Sequence, residues 1–133
     1  MMVFEESFFM DNSYIATEII AKGRIVTLDS NLAGSVKYPT AQDGAAIGVA
    51  VTEATASGDV IRVVEKGYVK VKAFASASIL DLIAVRNTAG EVYAPVFNTG
   101  ITTGDYILGH YIEAPAASGD IVTAFIDVRR VTV

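Results

Sequence analysis

Short β-branched runs, cut by Gly, Asp, Asn and Pro every 8 to 12 residues, fill the chain from Ala21 onward. That rhythm is the one expected of an antiparallel sandwich or barrel. It predicts strands over residues 25–28, 35–38, 47–52, 60–64, 68–72, 82–86, 91–96, 106–113 and 121–126, with the tail 128–133 offering one more. In Tyr68-Val69-Lys70-Val71-Lys72 the valines alternate with Tyr and Lys, so one face is buried and the other wet. The window 73–80 is rich in Ala and Ser and predicts a helical turn. The first twenty residues break the rhythm. Phe4, Phe8, Phe9, Met10, Tyr14 and Ile15 are mixed there with Glu5, Glu6, Asp11 and Glu18, without a clean period of 2 or 3.6. Residues 1–20 therefore read as an extended N-terminal arm ahead of a β domain at 21–133; a first strand or short helix packed on that domain is the alternative.

The β domain carries an internal repeat. A shift of 61 lays Gly48, Ala56, Ser57, Gly58 and Asp59 on Gly109, Ala117, Ser118, Gly119 and Asp120, five identities in 12 positions. A shift of 56 matches Ala33-Gly34-x-Val36-x-x-Pro39 to Ala89-Gly90-x-Val92-x-x-Pro95. Two copies are too few for a stacked array. The fold expected is an all-β, antiparallel barrel or sandwich built from two similar halves, about 21–72 and 77–133.

Composition strengthens the β reading, because 17 Val and 13 Ile stand against 5 Leu and branched Cβ atoms suit a pleated surface. The chain of 133 residues is one domain's length. It has no Cys, which removes disulfide scaffolds, Cys-ligated zinc and thiol catalysis, and one His, His110, which leaves little for a metal site or a triad. The net charge is −5, with four acids and no base in the first twenty residues. An acidic chain is poorly suited to a phosphate backbone, so nucleic acid is not an expected partner. No apolar stretch has the length of a membrane span, and no basic n-region opens the chain. A membrane is not expected either, and synthesis in the cytoplasm is.

Candidate chemistry is sparse. The repeated Ala-Ser-Gly-Asp element reads as a turn, since Gly accepts positive φ and Asp bonds its own backbone nearby; Gly58, Asp59, Gly119 and Asp120 are its key positions. Asp59, Asp105 and Asp120 are too far apart for a calcium loop. Gly100, Gly104 and Gly109 lack the Gly-Lys-Ser/Thr of a phosphate loop. Gly104-Asp105-Tyr106 is similar to one fragment of the trimeric dUTP-hydrolysing enzymes, whose other motifs have no counterpart. Lys66, in Glu65-Lys66-Gly67, reads as a solvated turn lysine, His110 as a structural or interface histidine, and Arg129-Arg130 as an edge or interface device. No enzyme and no cofactor are expected.

The run Ala46-Ile47-Gly48-Val49-Ala50-Val51-x-x-Ala54-x-x-x-Gly58-Asp59-x-x-x-Val63, followed by Gly67-x-Val69-x-Val71, resembles a family of small tailed-phage proteins that decorate or cement the capsid. Some of its members carry a recombinase-like label. The acidic charge and the missing phosphate loop speak against that activity here. The resemblance covers roughly residues 21–126. It implies a β-barrel or β-sandwich on the outer surface of the virion head, usually a homotrimer, that bridges and stabilises subunits of the major capsid protein, without catalytic residues. The arm departs from the family pattern, and its Phe4, Phe8, Phe9, Met10, Tyr14 and Ile15 are the residues expected to dock on the shell. The alternative is a head-fibre or tail-associated module that recognises a host surface sugar.

Overall fold

The computed structural model describes residues 6–95 and 105–130. Nine strands account for its regular structure: β1 (Ser7–Ala16), β2 (Ile25–Leu28), β3 (Ser35–Lys37), β4 (Gly48–Ala50), β5 (Val60–Lys72), β6 (Leu82–Val85), β7 (Val92–Tyr93), β8 (Tyr106–Tyr111) and β9 (Ile121–Arg130). Their pairings run β1-β3-β2-β4-β5, and β1 pairs again with β5, so the first five strands close on themselves. From β5 the order continues β9-β8-β6-β7. A parallel bridge between Ala73 and Val92 returns β7 to the end of β5. The chain is thus two small barrels sharing one long strand.

The register shows that the barrels are copies. Ile25 opposes Val49 and Val26 opposes Gly48 in the first, as Leu82 opposes His110 and Ile83 opposes Gly109 in the second. Val49 faces Val64 and Ala50 faces Val63, as His110 faces Phe125 and Tyr111 faces Ala124. Leu28 pairs with Val36 as Val85 pairs with Val92. The repeated turns also coincide. Asp59 Oδ2 accepts the N–H groups of Thr55 and Ala56, and Asp120 Oδ2 accepts those of Ala116 and Ala117. Gly58, at φ 98°, donates to Ala16 O at 2.7 Å, and Gly119, at φ 91°, to Ala73 O at 2.8 Å.

That last equivalence corrects the arm. A shift of 57 lays Ser7–Ala16 on residues 64–73, so β1 is the first copy's version of the second part of β5. It pairs antiparallel with β5 from Ile15↔Val60 to Ser7↔Tyr68 and parallel with β3 at Ala16↔Val36. The first copy therefore begins inside residues 1–20, which the sequence reading sets apart. Two further differences have local causes. Residues 60–64 and 68–72 form one strand instead of two, because Gly67, at φ 149°, absorbs a bulge against Phe8 and Met10 where a turn is expected. Lys66 accordingly lies within a strand and not in a turn. Residues 73–80 make no helix; they close the second barrel through the Ala73 bridge and end at Leu80, at φ 71°. Residues 96–104 and 131–133, which include Gly100, Gly104 and the end of the tail, lie outside the described residues, as does Phe4.

Successive strand residues point to opposite faces, and both faces are used in the first barrel. Val26, Ala50 and Val63 point inward with Ala16, Ile20, Val36, Ala54 and Ile61. Their neighbours Ile25, Val49 and Val64 point outward, yet they are buried in the core that fills the second barrel with Val69, Ile83, Leu108 and Tyr111. The two barrels are thus welded by an apolar joint. Polar contacts frame it: Ile25 N–H donates to Gly90 O at 2.9 Å, Arg24 to Ala89 O at 2.8 Å, and Asp43 N–H to Val85 O at 2.9 Å. The Tyr93 hydroxyl donates to the buried Asp43 carboxylate at 2.6 Å.

Gly48 and Gly109 are required for strand approach, since a Cβ at either would collide with the carbonyl of Val64 or Phe125. Gly48→Ala or Gly109→Ala should each lower unfolding free energy by about 3 kcal/mol or prevent folding, because the obstacle is backbone. Gly58→Ala meets no neighbouring atom and should lose only about 1 to 2 kcal/mol through its positive φ. Urea denaturation checks the ranking, and equal losses at all three positions would contradict it.

Candidate functional site

With a joint holding the barrels, the outer surface is where apolar side chains remain without cover. β1 supplies several of them. Its polar positions are tied to β5, because Arg62 pairs with Asp11 and the Tyr14 hydroxyl donates to Glu65 Oε1 at 2.5 Å. That hydrogen bond, then burial, pushes the Tyr14 hydroxyl up to about 12. Phe8, Phe9, Met10 and Ile15 remain exposed, Phe9 most of all at 62%. Tyr14 is half-buried beside the core of the first barrel, so of the expected docking residues it has a structural task. Ile15 lies at the other end of β1, opposite the exposed Val60.

Phe9 leads into an aromatic patch. Its ring stands edge-on to Tyr68 at 6.0 Å and lies 6.4 Å from Phe125. Tyr68 and Phe125 are 5.0 Å apart, and His110 packs on Phe125 at 5.6 Å. Beside the patch runs a groove of about 210 Å³ lined by Leu82, Ile107, Gly109, His110, Phe125, Asp127 and Arg129. The sequence reading placed His110 as a structural or interface residue but missed Tyr68, Phe125, Leu82 and Ile107. The available signal was the shift of 61, which sets Phe125 and His110 on Val64 and Val49, residues of one face.

A second hollow, of about 330 Å³, lies between Glu6, Lys22, Gly23, Ala50, Val51, Lys70 and Ile121. Lys70 Nζ donates there to Glu113 Oε1 at 3.0 Å and to Thr123 Oγ1 at 2.7 Å. Glu113 also accepts the Thr123 N–H at 2.8 Å. Thr52 does the same for Arg62 N–H at 2.9 Å in the first copy. The pair is therefore an elaborated version of a repeated strand-end contact. The hydrogen bonds from Thr123 and then Lys70 bring the Glu113 carboxyl down to about 2.

Gly58, Asp59, Gly119 and Asp120 occupy the two equivalent turns. Hydrogen bonds from the Thr55 and Ala56 backbone lower the Asp59 carboxyl below its usual range, as turn chemistry demands. Among the described residues no three His, Cys, Asp or Glu side chains gather at metal-binding distance, and no helix is long and apolar enough to cross a membrane. The arrangement offers surfaces for contact: an exposed β1 edge, an aromatic patch and a groove.

No protein-family model matches the chain, and no curated protein does. Among solved structures it is similar to the N base of head fiber gp8.5 of bacteriophage phi29, with 16% identity and a TM-score of 0.66. The similarity covers 93% of this chain and 98% of that one. At that identity it is the fold that is shared.

The Glu113 shift carries a pH signature. Its folded-state value of about 2 lies below the ordinary 4.5, so its contribution is complete above the ordinary value and fades as pH falls between the two. Glu113→Gln should therefore destabilise the protein at pH 6 and differ less from the original chain at pH 3. Urea denaturation at both values checks it, and a gap that widens in acid would contradict it.

Proposed function

We propose that this chain is a structural protein of a tailed-phage virion, seated on the outer surface of the head, where it decorates the shell and bridges subunits of the major capsid protein. The observation that carries the reading is the shared two-barrel fold, end to end, with a protein described as a phage head fiber base. The glycine and valine pattern of the sequence points the same way. Such a role requires no chemistry, because a protein that binds only the assembled shell stabilises it by mass action.

The contact is made by Phe8, Phe9 and Met10, exposed on a strand whose other side chains fasten it to β5. Exposed aromatic anchors of this kind dominate interface energies. Three such edges on a homotrimer bind by avidity, gaining about 10² to 10⁴ over one contact. Removing residues 1–20 is not a clean test, since it takes a stave out of the first barrel. A second reading, favoured by the similarity to the phi29 head fiber base, makes the chain the base on which a head fibre stands.

Purified protein should co-sediment with phage heads that lack it. Phe8→Ala with Phe9→Ala should weaken that binding by about 100-fold while the β spectrum is kept, as loss of anchor residues does. Unchanged binding by the double variant would move the contact elsewhere on the barrels, and no binding by the original chain would overturn the proposal. Heads that release DNA at a higher temperature once coated favour the cementing role. Coated heads with unchanged thermal release favour the fibre base.

A further inference from the structure

The joint between the barrels has a receiving side and an inserted side, and the duplication copies both. On the first barrel the receiving side is Ile25, Ala46, Val49 and Val64, each at most 4% exposed. The inserted side is the β6–β7 hairpin of the second barrel, with Val85 buried and Gly90 set against Ile25. The fit is close, since a Cβ on Gly90 would lie 2.5 Å from Ile25 O.

The counterparts of both sides are open. The receiving positions of the second barrel are Leu82, Ile107, His110 and Phe125, which line the groove of about 210 Å³. Leu82 is 38% exposed where Ile25 is fully covered. The inserted hairpin has its counterpart in β2–β3 of the first barrel. There Leu28 stands for Val85 at 52% exposure, Leu32 adds a further apolar side chain at 50%, and Gly34 stands for Gly90. Gly34 and Gly90 share a φ of 72°, but nothing lies within 4 Å of a Cβ built on Gly34. Arg129 in the groove pairs with Asp127 at 3.1 Å, so the groove carries no net charge against the hairpin and the fit is an apolar one.

We infer that the β2–β3 hairpin of one copy docks into the Leu82, Ile107, His110 and Phe125 groove of the next, repeating between chains the joint made within each. This deepens the self-association that the proposed function includes, and it rests on that reading. The occupant is a second copy because the groove is the duplicate of a surface already filled by this chain's own hairpin. The contact is head-to-tail, with different patches on the two partners, and such contacts close into rings when the rotation permits. Each copy then buries five apolar side chains that are partly wet in isolation, Leu28 and Leu32 on the hairpin and Leu82, Ile107 and Phe125 in the groove. Phe9, at the groove's aromatic rim, remains on the outside.

The test uses two variants of the full chain. Leu28→Glu spoils the inserted side and Leu82→Glu the receiving side; both positions are exposed enough for the barrels to keep their β spectrum. In sedimentation at about 100 µM, in the range where weak protein contacts register, the original chain should form closed oligomers and each variant should be monomeric. Mixed together, the variants retain one intact side each and should give one-to-one dimers and nothing larger. A monomeric original chain, a variant that assembles like it, or a mixture that stays monomeric would overturn the inference. Hydrogen exchange on the original chain needs no substitution. Slower exchange at high concentration, confined to 28–34, 80–84 and 107–112, supports the joint, and exchange independent of concentration overturns it. Both readouts use the protein alone, so their failure is separable from a failure to bind heads.

Discussion

Everything in this molecule hangs on the outward face of the first barrel. In an isolated five-stranded barrel Ile25, Val49 and Val64 would face water, and a unit this small has little interior to compensate. The second barrel covers all three and makes them part of its own core. The shared strand β5 makes the arrangement covalent. Its first part is the last stave of one barrel and its second part the first stave of the next, with Gly67 bending the path between them. Residues 69 and 71 point into the second core while 61 and 63 point into the first. Neither barrel can lose β5 without the other losing it too.

From that constraint follows the distribution of surface. A duplicated unit has two copies of every face, but a chain of two units has one internal joint, so one receiving face and one inserted hairpin are left over. Their apolar residues, Leu82 on one and Leu28 with Leu32 on the other, stay exposed where the counterparts Ile25 and Val85 are buried. The β1 edge with the exposed Phe8, Phe9 and Met10 is a further apolar surface, adjoining the groove where Phe9 meets Phe125. The proposed function calls for two such surfaces, one for its own kind and one for a shell.

The all-β class was legible because β-branched residues and turn residues alternate at strand spacing, and the places of strands β2 to β9 along the chain followed from that alternation, except that β5 read as two strands. The duplication was legible only where backbone geometry dictates residue type. Gly48 and Gly109 are required by strand approach, and Ser57-Gly58-Asp59 and its copy by a turn that takes its own N–H groups on an Asp carboxylate. β1 was hidden for the converse reason. Of its ten residues only Ala16 matches its counterpart, Ala73, because Asn12 and Tyr14 stand where Val69 and Val71 are buried in the second copy. An exposed strand has no reason to keep the valine alternation that announces a buried one. The groove was hidden because its residues come from three strands, and only their equivalence to a covered face gives them meaning.

Native-state hydrogen exchange measures the joint most directly. If the two barrels are one cooperative body, the amides that cross between them, Ile25 to Gly90 O and Lys72 to Gly23 O, should open only with global unfolding. Their opening free energies should then equal those of Val63 and Ala124 in the two interiors. Exchange at the crossing amides, or throughout one barrel, at a free energy well below that of the other barrel would contradict the account.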